Sequence, residues 1–180
     1  MQGKSFSKTQ RGVTLIECCV TLAIVSILAG TAVPSFMESN KKRVLDGSAG
    51  EMATDLYLAR SEAVARGQGV RVSFHSPAGG SCLVIHTGST ADCSCDLAGV
   101  AQCVNDAILI KSNYFAASRG VSIAANVASM RFDQTNGTVS PTGTVRMTTS
   151  NGSEVRHVVN IMGRVRTCSP GGLAKGYKVC

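Results

Sequence analysis

The side chains best placed to do chemistry in this sequence are the cations of its last 25 residues, and their chemistry is anion binding. Residues 156–180 contain five Lys or Arg and no acid, whereas residues 13–155 contain ten basic and eleven acidic residues. The five are Arg156, Arg164, Arg166, Lys175 and Lys178. Clustered cations of this kind bind phosphate groups, with an affinity that falls as salt rises because counterions are released.

Arg164 and Arg166 lie in the sequence Gly163-Arg164-Val165-Arg166 and have a spacing that suits a chain of phosphates. On a strand, both would point to the same side, about 6–7 Å apart, close to the phosphate spacing along one DNA strand. Phosphate contacts position a protein on DNA without reading bases, so the predicted binding is not sequence-specific. The alternative is a solvated basic edge that keeps a strand from pairing with other chains.

Eight cysteines are present, and six of them are expected to form disulfides. Cys18 and Cys19 lie in an apolar run and are interpreted as small apolar residues. The other six follow an export signal and are even in number, which indicates an oxidising compartment such as the periplasm. Cys168 and Cys180 are close in sequence, far from the rest, and flank a Pro-Gly-Gly turn, so we expect them to pair.

The remaining four cysteines are Cys82, Cys93, Cys95 and Cys103. The middle two are too near each other for an easy bond, so each outer cysteine is expected to pair with one of them. A competing interpretation is a metal site that uses the middle two with His75 or His86. Zinc sites usually show CxxC or HxxxH spacings, which are missing here, so no metal is predicted.

The N-terminal segment combines a basic stretch, a glycine and a long apolar run that contains one acid. Three cations and no acid precede Gly12, and residues 18–37 carry no charge, enough for about 30 Å of helix. The lone acid, Glu17, is costly in a membrane unless it finds a partner. Cleavage after Gly12 would give Val13 a free amino group that neutralises Glu17 of a neighbouring chain, which predicts subunit assembly.

This N-terminal pattern resembles that of the type IV prepilin family, which includes the pseudopilins of type II secretion. In that family a prepilin peptidase cleaves after the glycine, and the new N-terminal residue is methylated. The resemblance implies cleavage between Gly12 and Val13, methylation of Val13, and an assembly role for Glu17 as fifth residue of the mature chain. Val13 is a departure, since phenylalanine is usual there. The implied partners are other pilin and minor pilin subunits, the prepilin peptidase and the inner membrane.

Three other interpretations of this segment are an ordinary secretory signal, a lipoprotein signal and a plain membrane anchor. A secretory signal would end at small residues such as Gly30-Thr31-Ala32, but its apolar core would usually be shorter. A lipoprotein signal needs a small residue where Glu17 precedes Cys18. None of these three interpretations gives Glu17 a partner, whereas prepilin processing does.

The segment after the apolar run has the pattern of a helix that continues toward a globular head. Residues 38–66 are rich in helix formers, with Met52, Leu56, Ala59 and Ala63 at helical spacing. We expect this stripe to pack on the head. The expected organisation is a leader at 1–12, a transmembrane and assembly half-helix at 13–37, an amphipathic half-helix at 38–66 and a β-rich periplasmic head at 67–180.

From residue 70 onward the pattern changes to short β segments, so the fold class is α+β, a long helix followed by a β-rich head with disulfides. The last segment alternates and places Val155, His157, Val159 and Ile161 on one face. Asn151-Gly152 before it is a signal for a two-residue hairpin loop.

Two further motifs narrow the resemblance to the FimT/GspH family of minor pilins and pseudopilins. Residues 59–67, ARSEAVARG, resemble the corresponding segment of that family, and residues 163–166 followed by Thr167-Cys168 resemble the C-terminal GRxR motif of FimT-type minor pilins. Some FimT-type proteins bind DNA and support its uptake in natural transformation. The resemblance therefore implies DNA binding by Arg164 and Arg166, assisted by the other three tail cations, in a single-pass inner-membrane protein assembled into a surface pilus.

The alternative implied by the same resemblance is a GspH-type minor pseudopilin of a type II secretion system. Motifs of common enzyme classes, including G-x-S-x-G, the Walker loop and H-E-x-x-H, are missing from the sequence. The three histidines, His75, His86 and His157, are scattered. We therefore expect neither catalysis nor a cofactor.

Overall fold

The computed structural model describes residues 12–172 and 174–180, so most of the expected leader, residues 1–11, lies outside the described residues. The chain divides into two compact units between Asn40 and Lys41. In its described residues, the first unit holds the beginning of one helix. The second unit holds the end of that helix and every strand assigned in the described residues.

Helix α1, Leu15–Arg66, is 52 residues long and has a defined signal at each end. At the start, Thr14 Oγ1 accepts the N–H of Glu17 at 3.4 Å, one half of a Thr-x-x-Glu capping box. At the end, Gly67 has a φ of +59°, and the N–H groups of the two residues after the helix donate to carbonyls of its last turn. This is a Schellman motif, which favours glycine because φ is positive.

The apolar first part of α1 is uncovered in the isolated chain. Among the described residues, α1 is long and apolar enough to cross a membrane, judged by length and composition alone. Its most apolar 18-residue window has a mean hydropathy of 2.1 and no buried residue. An apolar surface of this length is stable in lipid or against neighbouring helices, and not in water.

The head is built from short antiparallel strands. Their bounds are β1 Val70–His75, β2 Gly80–Thr87, β3 Cys93–Cys95, β4 Ala101–Cys103, β5 Leu109–Ala116, β6 Val121–Ala125, β7 Ser129–Phe132, β8 Val139–Ser140, β9 Gly143–Thr149, β10 Glu154–Val159 and β11 Val165–Cys168. One sheet has the order β5-β2-β1-β7-β8 and a second has β11-β10-β9-β6, while β3 and β4 form a separate hairpin. The expected α+β class, a long apolar helix followed by a β-rich head with disulfides, is confirmed.

The core of the head lies where α1 meets both sheets. Met52, Leu56, Ala59 and Ala63, the stripe expected from helical spacing, are fully buried in one cluster with residues of the two sheets. Each large apolar side chain buried in this way contributes about 1.5–3 kcal/mol relative to exposure. The stripe therefore fixes α1 against the strands that carry the basic tail.

Asp55 adds a polar anchor between α1 and the edge strand β5. Its carboxylate is fully buried and pairs with Lys111 Nζ at 2.5 Å, while Asn113 Nδ2 donates to it at 3.1 Å. A buried carboxylate is tolerated when its oxygens are paired and hydrogen-bonded in this way. The anchor fixes the rotation of the helix about its axis.

One disulfide connects strand β2 with the β3–β4 hairpin, and a second connects the two strands of that hairpin. Cys82 is bonded to Cys95, and Cys93 is bonded to Cys103. Each outer cysteine thus takes one of the middle two. The competing metal interpretation of Cys93 and Cys95 is wrong, because their sulfurs are used in these bonds.

Two local expectations are wrong. Ile161 does not share the buried face of β10, because the strand ends at Val159 and Ile161 is 65% exposed in the following turn. The loop at Asn151-Gly152 has three residues, because Thr149 and Ser153 pair directly through a 3.0 Å hydrogen bond. Gly152, with a φ of +83°, supplies the left-handed residue that a three-residue hairpin loop requires.

Candidate functional site

Arg164 and Arg166 lie on the same side of the edge strand β11. Val165 is buried between the two exposed arginines, as alternation along a strand requires. Arg164 itself precedes the strand, but Asn160 continues the pairing, because its N–H donates to Arg164 O at 3.2 Å and its Oδ1 accepts the N–H of Arg164 at 2.9 Å. Both guanidinium groups are therefore presented to solvent on an extended backbone.

The glycine of the Gly-Arg-Val-Arg sequence has a structural role. Gly163 has a φ of +69°, and its N–H donates to Asn160 O at 2.9 Å, which closes the β10–β11 turn. A Cβ at this position would lie 2.1 Å from the main-chain oxygen of Gly137. Both the left-handed conformation and the close backbone approach exclude a side chain. Gly163 therefore fixes the point at which the chain leaves the turn and enters the extended segment that carries Arg164.

Strand β11 is held from two sides. The hydroxyl of Tyr57 in α1 donates a hydrogen bond to Val165 O at 3.2 Å. Beyond the strand, Ser169 Oγ donates to Glu154 O at 2.8 Å and accepts the N–H of Ala174 at 2.8 Å. These bonds position the arginine pair on a supported strand rather than on a free terminus.

The chain after β11 folds back in a ring closed by a disulfide between Cys168 and Cys180, whose Cα atoms are 5.0 Å apart. Ser169 N–H donates to Lys178 O at 2.8 Å, and Arg166 Nη2 donates to Cys180 O at 3.2 Å. The ring therefore returns Lys178 and the end of the chain to the strand that carries Arg166. Lys175 and Lys178 are exposed.

The ring is also packed against α1 through Tyr177 and the buried Ala174. Burial and the neighbouring Asp46 carboxylate, with which the phenol is hydrogen-bonded, raise the pKa of Tyr177 to about 12. Tyr177 consequently stays neutral and holds the ring in place over the whole physiological pH range.

Arg156 lies on strand β10, and its Nε pairs with Glu154 Oε1 at 2.6 Å. It therefore has a partly neutralised charge, unlike Arg164. Arg156 shares the outer face of the second sheet with Arg166, because Val158, two residues after Arg156, is the register partner of Arg166. The structure thus brings three of the five tail cations to one sheet and the two lysines to the adjoining ring.

Sequence reasoning missed Arg146, which belongs to the same outer face. It is exposed on β9 between the buried Val145 and Met147 and is the direct register partner of Arg156. The alternation of the β9 segment was the available signal for its direction. Its pairing with Arg156 depends on the length of the β9–β10 loop.

His157 is buried on the inner face of the second sheet, whereas His86 is buried on the face of the first sheet that packs against the β3–β4 hairpin. His157 Nδ1 is 3.0 Å from Thr167 Oγ1, and burial lowers the pKa of this imidazole to about 4. His86 Nε2 is 2.9 Å from Ser73 Oγ, and burial is the main cause that lowers its pKa. Both rings are neutral packing groups near pH 7. Among the described residues, no cluster of three His, Cys, Asp or Glu could hold a metal.

At the other end of the described chain, Gly12 and Val13 precede α1 and are exposed. Glu17 is the acidic residue of the first helical turn, where a negative charge interacts favourably with the helix dipole. Thr14 caps the helix through the main-chain N–H of Glu17, a contact that sequence reasoning missed.

A long apolar N-terminal helix followed by an antiparallel head defines a type IV pilin-like protein. The family model described as type II transport protein GspH matches residues 48–163, and the prokaryotic N-terminal methylation motif matches residues 7–33. The chain therefore belongs to the GspH family, and the resemblance to minor pilins and pseudopilins is confirmed, without FimT being distinguished within that family.

Three individual proteins are similar to this chain. The pilin-like protein PilA1 of Thermus thermophilus is 37% identical over 78 residues, which cover 43% of this chain and 49% of that protein. The match thus spans about half the length of this curated relative. The minor pilin FimU of Pseudomonas aeruginosa shares the fold, with a TM-score of 0.50 and 19% identity over 70% of this chain and 97% of FimU. The minor pseudopilin EpsH of Vibrio cholerae has a TM-score of 0.49 and 16% identity, over 70% of this chain and 97% of EpsH.

Proposed function

We propose that this chain is a minor subunit of a type IV pilus that binds DNA through Arg164 and Arg166 and supports DNA uptake in natural transformation. The observation that carries the DNA proposal is the pair of exposed guanidinium groups on the same side of a supported edge strand. Family membership supports a structural role in a filament, and the arginine pair adds binding rather than catalysis.

The N-terminal features supply the filament part of the proposal. Prepilin peptidase cleaves between Gly12 and Val13, and Val13 is then methylated. The apolar half of α1 inserts into the inner membrane, with the head in the periplasm. In the pilus, the carboxylate of Glu17 neutralises the N-terminal ammonium of a neighbouring subunit, because an unpaired charge in lipid is expensive.

The proposed DNA binding is made through phosphate contacts of the tail, which are the same for every DNA sequence, so it needs no contact with the bases. Arg164 has no acidic partner among the described residues, and the ring returns Lys178 to the strand that carries Arg166 and leaves Lys175 exposed. Arg156 assists with a charge that Glu154 partly neutralises. Each phosphate neutralised on duplex DNA contributes about 0.9 to the slope of log affinity against log salt.

The test of this function uses cells that express the chain in a competent host. Replacing Arg164 and Arg166 by Gln is expected to leave the subunit in sheared pili while transformation falls. Glu17→Ala is expected to remove the subunit from pili. Normal transformation by cells whose pili contain the double Gln variant would contradict the DNA role, and pili that still incorporate Glu17→Ala would contradict the assembly role.

A second candidate function is a GspH-type minor pseudopilin of a type II secretion system. The specific observation in its favour is the match of the GspH family model to residues 48–163. In that case, deletion of the chain would stop secretion of exoproteins and leave pili and transformation unchanged. Measuring both phenotypes in one deletion strain separates the two candidates.

A further inference from the structure

The outer face of the β11-β10-β9-β6 sheet carries a second group of cationic and polar side chains, two strands away from Arg166. Arg146 of β9 and Arg156 of β10 are direct register partners. Thr149 and Ser153 form a hydrogen-bonded pair at the end of the β9–β10 ladder. Hydrogen-bonded and non-hydrogen-bonded pairs alternate along such a ladder, so Arg146 and Arg156 form a non-hydrogen-bonded pair. Cα atoms in such pairs are about 4.5 Å apart, the closest cross-strand spacing.

Two like charges at directly opposed positions destabilise a sheet. Glu154 pairs with Arg156, at 2.6 Å, and is only 14% exposed. No ion pair or hydrogen bond of the Arg146 guanidinium is found among the described residues, and its register partners are Ala124 of β6 and Arg156. The sheet therefore holds an uncompensated cation against a second arginine, and a bound anion would relieve the repulsion.

A surface depression at this point is lined by Ala124, Asn126, Thr144, Arg146 and Arg156. Asn126 Oδ1 accepts the N–H of Thr144 at 2.7 Å, and Asn126 N–H donates to Thr144 O at 3.2 Å. These two bonds fix the side-chain amide with its oxygen toward the strand, so that Nδ2 is left as a donor. Two guanidinium groups, an amide NH₂ and a hydroxyl thus border one depression.

We infer that this depression is a phosphodiester seat, and that DNA crosses the outer face of the sheet from the arginine pair to Arg146. The inference rests on the proposed function and extends its site beyond the C-terminal 25 residues. Two strand spacings and a two-residue offset place the Cα atoms of Arg166 and Arg146 about 12 Å apart. That span is about two phosphate intervals along one strand, so one backbone reaches both ends.

Planar guanidinium groups suit this ligand because they bind phosphate oxygens in bidentate fashion. DNA is favoured over an anionic lipid head group because the seat continues a line of exposed arginines along β11 rather than standing alone. A lipid would use the seat without any contribution from Arg164 or Arg166. This difference makes lipid binding an outcome that the experiment detects.

The experiment measures binding of a short fluorescent DNA duplex of mixed sequence to the full chain in nonionic detergent, across about 50–200 mM salt. Arg146→Gln is compared with the parent and with Arg119→Gln as a matched control. Arg119 is an exposed arginine that lies 4.0 Å from Glu51 of α1 and outside the proposed path. Glu154→Gln, which frees Arg156, is compared with Glu62→Gln, which frees Arg66 on the helix.

Arg146→Gln is expected to lower the salt slope by about 0.9 and the affinity about eightfold at 0.1 M salt, since one phosphate contact is lost. Arg119→Gln keeps the slope of the parent. Glu154→Gln raises the affinity, and Glu62→Gln does not. If Arg146→Gln behaves like Arg119→Gln while an Arg164→Gln/Arg166→Gln variant loses binding, the seat is refuted and the proposed function stands.

If the parent itself does not bind the duplex, the proposed function fails first and the seat fails with it. A further arm adds phosphatidylglycerol to the detergent micelles. Displacement of DNA by this lipid from the parent but not from Arg146→Gln would show that the seat prefers a lipid head group, and would overturn the inference. Equal displacement from both proteins supports it.

Discussion

The turn that begins the arginine strand offers a sharp test of the structure, through Gly163→Ala. A left-handed conformation costs an L-residue about 1–2 kcal/mol. The added Cβ would also lie 2.1 Å from Gly137 O, which is backbone and cannot rotate away. Overpacking of this kind costs typically about 1–3 kcal/mol. Together, Gly163→Ala is expected to lower the free energy of unfolding of the head by about 2–5 kcal/mol.

The matched control is Gly152→Ala in the β9–β10 loop. Gly152 also has a positive φ, +83°, but a Cβ there meets nothing within 4 Å. It should therefore cost only the conformational part, about 1–2 kcal/mol. Urea unfolding of both variants in the same detergent measures the difference directly. Equal costs for the two glycines would show that the β10–β11 turn does not approach Gly137, and the position of Arg164 would have to be revised.

Three other perturbations test the packing that supports the site. Burial lowers the pKa of His157 to about 4 from about 6.5, so unfolding takes up a proton between these pH values, and the contribution of His157 to stability is complete above pH 6.5 and falls by about 3 kcal/mol toward pH 4. Urea unfolding at pH 7 and pH 4 should show a smaller fall in stability for His157→Gln than for the parent, and an identical fall would contradict the lowered pKa of His157. Replacing Cys168 and Cys180 by Ser should cost about 3 kcal/mol in chemical unfolding under oxidising conditions, because a 12-residue loop is no longer closed; no loss would show that the ring is held by Tyr177 alone. Lys111→Met should cost about 3 kcal/mol because Asp55 is left buried without its cation, and an unchanged unfolding midpoint would argue against that anchor.

Local patterns in the sequence predicted the parts of the fold that depend on local geometry. The stripe that includes Met52 and Leu56 follows from helical periodicity, and the shared side of Arg164 and Arg166 follows from the two-residue period of a strand. The cysteine pairing followed largely from sequence distances. These inferences needed no knowledge of which strands are neighbours.

The missed features depend on register and on contacts between distant segments. A two-residue loop at Asn151-Gly152 would have paired Arg146 with His157 and placed Arg156 on the other face of the sheet, because a one-residue slip exchanges the faces of a strand. The observed three-residue loop pairs Arg146 with Arg156. Likewise, the sequence gives no sign that Gly163 approaches Gly137, since the two turns meet only in the folded head.

The most direct test of the central claim is the salt dependence of DNA binding by the full chain and by its Arg164→Gln/Arg166→Gln variant. A double variant of Arg66 and Arg119 to Gln, which removes two exposed ion-paired arginines elsewhere, serves as the control. Loss of Arg164 and Arg166 is expected to lower the slope by about 1.8 and the affinity on the order of 60-fold at 0.1 M salt. A slope and affinity equal to those of the control variant would contradict the central claim.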